Sequence, residues 1–550
     1  MKNISILSLA VILSAFVCLA CNDSSNETSD GDLDQTEQEE SAELETETDG
    51  DLDLDSAEEE VSETEEMEAE LEPEIEELET EAEEEEAVEP EPLLWEVLTS
   101  DAPLLRSILG VSTHMKQNAG EDANRNFEFE KYVELGGARI REDFHWHKIE
   151  PADDAWDFDR VDTQVQMAKA RNMKVLPMLA YTVDWAMTDL EDTSSIDPAL
   201  YAQFAGKVAE TYCDDIKEYE IWNEPNFERF WKSGPDLAHY ARFLKAAYIE
   251  IKKSCPDARV MTAGFSSYDF EDFFNRWWVL DDMVEAVPDI CDYFDILAIH
   301  PYTQMQKTSP EYDYELATDS VAEGQVGMTV RAREKLKEIG CTDEKGIWYT
   351  EAGWPSLDLI TEEDTATTGL TNDDIQGLYL ARAILLAAKE DVEAYFWYTF
   401  WDGNPENESW RPHEDYFGLF GYPKEDHIVK PAWTTMKALA DVAGDGRFVR
   451  DLSKVLELPN DVFALLFAED DGTLIVAMWD GRDVPDITMD QGQLEGGWDT
   501  THVLTLPMID GQTSFDFYDV FGEKEDVVIS DPNELTITLT HQVKYLVIER

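Results

Sequence analysis

Between residues 103 and 445 of this 550-residue chain, short apolar runs alternate with amphipathic stretches eight times. The apolar runs are 109–113, 138–143, 174–180, 218–224, 259–265, 295–300, 347–351 and 394–400. Helical periodicity lies between them, for example over 159–171, 198–211 and 236–253. Strands that alternate with helices must run parallel, because each helix returns the chain to the same edge of the sheet. Eight such units predict a closed (β/α)8 TIM barrel over residues 95–445. After residue 445 the pattern changes. Runs 462–468 and 473–479 flank Asp470-Asp471-Gly472, a hairpin signal, and 535–540 with 543–548 reads as a second pair. Residues 446–550 are therefore expected to form a small antiparallel β-sandwich that packs on the barrel and stabilises it.

The first 94 residues are a different material. Residues 1–20 have the short basic start and apolar run of a secretory signal. The run ends at Cys18-Leu19-Ala20-Cys21, which resembles a bacterial lipoprotein signal with Cys21 as the lipidated residue; Cys18 stands where such signals usually carry Leu. Ordinary secretion with cleavage nearby is the alternative. From Asp23 to Glu91 there are 35 acidic residues, no Lys or Arg, and no aromatic residue before Trp95. Such a segment cannot bury enough apolar surface to offset its chain entropy, so 21–94 is expected to be a disordered acidic tether. The expected location is the bacterial envelope, lipid-anchored at the outer membrane or cell surface, or else secreted.

The tether holds less than half of the total charge of −82. Residues 93–550 still carry 88 acidic against 40 basic side chains, a net of −48. A surface this acidic argues against nucleic acid and anionic lipid as partners, and makes a highly acidic polymer a poor substrate. A monomer is expected.

Cys213, Cys255, Cys291 and Cys341 each precede a predicted strand, which places all four at the N-terminal end of the barrel. Four cysteines allow three pairings. Neighbouring strands in an oxidising compartment favour Cys213–Cys255 and Cys291–Cys341, with buried free thiols as the alternative. The spacing fits no zinc motif, and no metal or cofactor is expected.

Two motifs carry the chemistry: Trp222-Asn223-Glu224-Pro225-Asn226, and Tyr349-Thr350-Glu351-Ala352-Gly353-Trp354. Each sets a glutamate at the predicted end of a strand, the fourth and the seventh, 127 residues apart. Barrel active sites are built from the C-terminal strand ends. Two carboxyls facing one another there suit cleavage of a glycosidic bond, one ionised and attacking, the other protonated and donating. Their mutual repulsion favours one proton between them.

With these motifs, residues 103–445 resemble a clan A glycoside hydrolase, most nearly of family 39, with family 5 as the rival. The segment Arg141-Glu142-Asp143-Phe144-His145-Trp146, with Ile149-Glu150-Pro151 and Trp156-Asp157-Phe158, resembles the stretch after the second strand in those enzymes. His300-Pro301-Tyr302, Phe417-Gly418-Leu419 and Lys430-Pro431-Ala432 resemble later family segments, and the sandwich resembles their accessory domain. The resemblance implies a retaining β-glycosidase with Glu224 as acid/base and Glu351 as nucleophile. It implies that Asn223 binds the sugar 2-hydroxyl and that Tyr302 orients Glu351. Arg141 would favour the ionised form of Glu351, and His300 would line the same subsite. Trp401 at the end of the eighth strand would stack under the sugar, with Trp397 on the same face as the substitute. His114, Trp185 and Trp354 are further candidates at the catalytic face. Two other readings stay open: a transglycosylase using the same site, and a non-catalytic carbohydrate-binding lipoprotein.

Overall fold

A computed structural model describes residues 95, 100–113, 122–267, 278–303, 309–311, 324–341, 344–356, 372–404, 415–423, 427–481, 501–507, 515–527, 531 and 533–549. The expected leader, Cys21, the acidic stretch and His114 lie outside them.

Eight parallel strands close on themselves: β1 (Leu109–Ser112), β2 (Arg139–His145), β3 (Val175–Ala180), β4 (Glu218–Ile221), β5 (Arg259–Met261 with Phe265–Ser266), β6 (Ile296–His300), β7 (Gly346–Ala352) and β8 (Val392–Tyr398). Closure is direct, with Gly110 opposite Arg139 on one side of β1 and Phe396 on the other. Among the described residues each strand is followed by a long helix: α1 (Asp122–Glu134), α2 (Asp159–Lys169), α3 (Pro198–Tyr212), α4 (Leu237–Ser254), α5 (Trp278–Ala286), α6 (Gln325–Glu338), α7 (Asp373–Lys389) and α8 (Pro431–Ala443). Several starts are capped as their sequence predicts. Asp197 accepts from Ala199 N ahead of Pro198, Asp236 from His239 N, and Asn372 from Ile375 N.

The predicted strand 259–265 is interrupted. Met261 pairs with Ile296, and pairing resumes at Phe265 with Ile299. Gly264 lies in the gap, where a Cβ would come within 2.0 Å of His300 Nε2 and 2.5 Å of Thr350 Oγ1. A side chain at 264 would displace the imidazole from the mouth of the barrel.

The barrel interior is layered. At the N-terminal end Arg139 pairs with Glu218 (3.5 Å) and Arg259 with Glu393 (2.6 Å). Above them lies an apolar plug of Leu176, Met261, Ile296, Ala298, Trp348, Ala394 and Phe396, all buried. Only above that plug do buried charges reappear, at the C-terminal mouth. Outside the N-terminal end, disulfides join Cys213 to Cys255 and Cys291 to Cys341.

The C-terminal region forms a five-stranded antiparallel sheet, in the order β9 (Arg447–Asp451), β10 (Val462–Ala468), β11 (Leu474–Asp480), β15 (Lys544–Ile548), β13 (Asp516–Tyr518). A two-stranded sheet of β12 (His502–Pro507) and β14 (Glu534–Leu539) faces it. The pairing expected between 535–540 and 543–548 does not form: β14 pairs with β12, and β15 with β11 and β13. Both faces of β10 and β11 are buried, which explains their unbroken apolar runs. Leu465, Phe467, Ile475 and Trp479 join the barrel core, while Ala464, Leu466, Val476 and Met478 meet Leu504, Leu506 and Ile537 of the second sheet. Arg382 of α7 seals the junction, donating to the His541 carbonyl at 2.7 Å.

Candidate active site

Two backbone irregularities aim the motif glutamates. β4 ends at Ile221, and then Trp222 (φ +74°) and Glu224 (φ +40°) adopt left-handed conformations that side chains other than glycine rarely take. Strict alternation would put Glu220, Trp222 and Glu224 on one face. Instead Trp222 turns outward onto Tyr201, Trp231 and Phe243. Asn223 and Glu224 turn into the mouth, with Glu224 N donating to the Gly264 carbonyl at 3.2 Å. On β7 the register with β8 slips between Tyr349 and Ala352, a bulge-like irregularity that re-aims Glu351.

Arg141 of β2 is the hub of the buried network. It donates to Glu220 through Nε (2.6 Å) and Nη2 (3.1 Å), to Asn223 Oδ1 through Nη2 (2.8 Å), and to Glu351 Oε1 through Nη1 (2.5 Å). Tyr302 Oη donates to the other Glu351 oxygen at 2.8 Å. His300 Nδ1 lies 2.8 Å from Glu224 Oε1, and its Nε2 lies 3.0 Å from Thr350 Oγ1. One ligand atom each of Glu224, His300 and Glu351 falls within 4.8 Å of the others. Such a trio has the donor set of a cation site. The Arg141 charge already bound to Glu351 disfavours a second cation there.

The two carboxyls are treated differently. Glu351 accepts from a guanidinium and a phenol, both charge-assisted bonds to a carboxylate. Glu224 is fully buried, and its Oε2 has no hydrogen-bond partner. Burial pushes its pKa up to about 7, against the opposing pull of Ser266, Arg141 and Arg229. Burial also pushes His300 down to about 4, against the pull of Glu351, so the imidazole beside Glu224 is neutral at neutral pH. For Arg141 burial works against the charge, but Glu220 and Glu351 outweigh it and the pKa rises well above the ordinary value.

The sequence candidates divide sharply. Glu224, Glu351, Asn223, Arg141, His300 and Tyr302 converge on one network. The tryptophans do not. Trp401 is buried among Phe127, Phe400, Phe420 and His427, and its indole N–H points to Glu128 at 3.4 Å, so both faces are occupied by packing. Trp397 turns outward from the barrel, bonds the Phe417 carbonyl and packs on Trp354, which is itself buried against Tyr379. Trp185 is half-buried, with its N–H on the Glu150 carbonyl and its edge on Trp146. The aromatic group that does reach Glu351 is Tyr302, and Tyr398 and Phe417 pack on its ring at 6.3 and 6.0 Å. Sequence reasoning also misses Glu220, the second carboxylate on Arg141. Its signal is its position two residues before Trp222 on an inward face, which the distorted strand end obscures.

A parallel barrel with two glutamates meeting at its C-terminal mouth defines a class, the O-glycoside hydrolases with catalytic carboxylates on strands 4 and 7. The model of glycosyl hydrolases family 39 matches residues 188–484, more than half of the chain, and the chain belongs to that family. Solved structures share the fold at low identity. A family 39 glycoside hydrolase from Bacteroides cellulosilyticus WH2 is 21% identical with a TM-score of 0.60, covering 82% of this chain and 83% of that one. A monomeric β-xylosidase from Caulobacter crescentus CB15 is 16% identical with a TM-score of 0.58, covering 82% and 97%. A glucosidase from Croceicoccus marinus is 13% identical with a TM-score of 0.56, covering 81% and 96%.

Proposed function

We propose that the enzyme cleaves β-glycosidic bonds of an oligo- or polysaccharide with retention of configuration, with Glu351 as nucleophile and Glu224 as acid/base. The observation that carries this reading is the unlike setting of two adjacent carboxyls: one oxygen of each lies within 4.8 Å of the other, yet only Glu351 is held by a cation. So close an approach of two oxygens leaves little room for a water between them, which supports direct attack over the single displacement of an inverting enzyme.

In the first step a Glu351 oxygen bonds the anomeric carbon while Glu224 gives its proton to the departing glycosidic oxygen. The unpartnered Glu224 Oε2 is the oxygen suited to that transfer. Forming the ester removes the Glu351 charge, and Glu224, now ionised, takes a proton from the water that attacks the glycosyl-enzyme. Arg141 occupies Asn223 Oδ1, which leaves the amide N–H groups to donate to the sugar 2-hydroxyl. His300, uncharged, fixes the Glu224 carboxyl without delivering a proton of its own.

The test is hydrolysis of aryl β-glycosides, headed by xylosides and glucosides because similar structures bear those names, and of β-glucan, xylan and mannan oligosaccharides. Glu224→Gln and Glu351→Gln run beside the wild type. One sugar should turn over, with kcat reduced by roughly 10²–10⁴ in Glu224→Gln and further in Glu351→Gln. Binding without turnover in the wild type would establish a carbohydrate-binding protein instead. The leader and the acidic stretch support attachment of this hydrolase to a membrane through Cys21. Cys21→Ser should then release it from the membrane fraction, and an unchanged distribution would contradict the anchor.

A further inference from the structure

The turn after the acid/base holds a cation that no described carboxylate binds. Phe227 N donates to the Glu224 carbonyl (3.0 Å), Phe230 N and Trp231 N donate to the Phe227 carbonyl (2.9 and 3.2 Å), and Trp222 Nε1 donates to the Phe230 carbonyl (3.0 Å). The segment is thereby folded back over the end of β4. Phe230 stacks on Tyr181, just past β3, with centroids 5.7 Å apart and planes 15° apart. The Arg229 guanidinium lies 5.3 Å from the centre of the Phe230 ring. Its Nη1 is buried without a hydrogen-bond partner, and among the described residues Arg229 forms no ion pair.

Scarcity of anions does not explain this. The chain has 123 acidic side chains for 41 basic ones. The fully buried Arg141 and Arg382 each meet a carboxylate, and so does the part-buried Arg139. A buried donor left without a partner is destabilising, and more so when it carries charge. A carboxylate is the group that a stacked, planar guanidinium binds best, through two parallel hydrogen bonds. A sugar hydroxyl would satisfy one N–H and leave the charge uncompensated.

We propose, resting on the hydrolase reading above, that Arg229 is a specificity residue: it binds the carboxylate of a uronic acid unit in the leaving-group half of the cleft. The side is set by Glu224, which must touch the oxygen that departs, so the turn rooted in Glu224 borders the departing sugar. The guanidinium is also close enough to act on the Glu224 carboxyl. The net charge of −48 on residues 93–550 opposes a dense polyanion. At physiological ionic strength that repulsion is screened over about 8 Å. The substrate class is therefore a mostly neutral β-linked glycan with sparse carboxylates.

The test is titration calorimetry of the full chain with xylose- and glucose-backbone oligosaccharides bearing one glucuronic acid, each paired with its twin whose carboxyl is reduced to an alcohol. The wild type should bind the acid form at least ten-fold tighter, with Arg229→Met abolishing the preference and Arg229→Lys keeping part of it. Equal affinity of the wild type for both twins, or for neither, overturns the proposal without reliance on any variant. A preference that survives Arg229→Met also overturns it. Turnover of neutral aryl β-glycosides by the wild type, run alongside, separates the two readings, since its absence sinks the hydrolase and not the carboxylate site.

Discussion

The two ends of the barrel hold charge in opposite ways. At the N-terminal end the inward charges are matched in pairs, Arg139 with Glu218 and Arg259 with Glu393, and Trp348 bonds Glu393 at 3.0 Å while Arg139 lies over its ring at 4.8 Å. Two disulfides tie the surrounding segments. At the C-terminal end one arginine is shared among Glu220, Asn223 and Glu351, Glu224 keeps an unpartnered buried oxygen, and two non-glycine residues are held left-handed. The same eight strands therefore carry a satisfied floor and an unsatisfied mouth. Active sites use interactions that a stability-optimised core would remove.

That contrast breaks most readily at the floor. Trp348→Ala should cost about 3–5 kcal/mol, the usual range for deleting a buried large aromatic. It opens the plug and removes the N–H donor from Glu393. Denaturant unfolding measures the loss, and kcat of the folded fraction should stay near the wild-type value. A large fall in kcat at unchanged stability would show that floor and mouth are not separable.

Substitution at the mouth should act in the other direction. Glu224 has an ordinary value of 4.5 that burial raises to about 7 in the folded state. Its contribution to stability is complete below pH 4.5 and is lost as pH rises through about 7. Glu224→Gln has no such loss. Its stability relative to wild type should climb between about pH 4.5 and about 7 by on the order of 3 kcal/mol and level off above. Melting temperatures across that range check the sign, and a flat difference would mean that burial does not perturb Glu224.

The floor was more legible in the sequence than the mouth, for the same physical reason. Regular strands announce themselves by apolar runs, and β3, β6 and β7 fall within a residue or so of their expected bounds. Where the chain departs from regular geometry, periodicity misleads. The left-handed Trp222 hides the inward Glu220, and Gly264 splits a strand to admit His300. The motif residues were legible because their chemistry is distinctive. Trp401 was not, because an indole suited to a sugar is equally suited to a core, and α1 supplies Phe127 and Glu128 to receive it. The hairpin read from 535–548 failed because two adjacent strands, each amphipathic, joined different sheets.

The proposed retention requires a covalent intermediate, assigned to Glu351, that water resolves with Glu224 as base. Proton NMR of the anomeric signals during hydrolysis of the sugar found in the panel tests this directly. A retaining enzyme releases the β-anomer first, with the α-anomer growing in only as the product mutarotates. The α-anomer appearing first would mean single displacement, and would contradict the roles assigned to both glutamates.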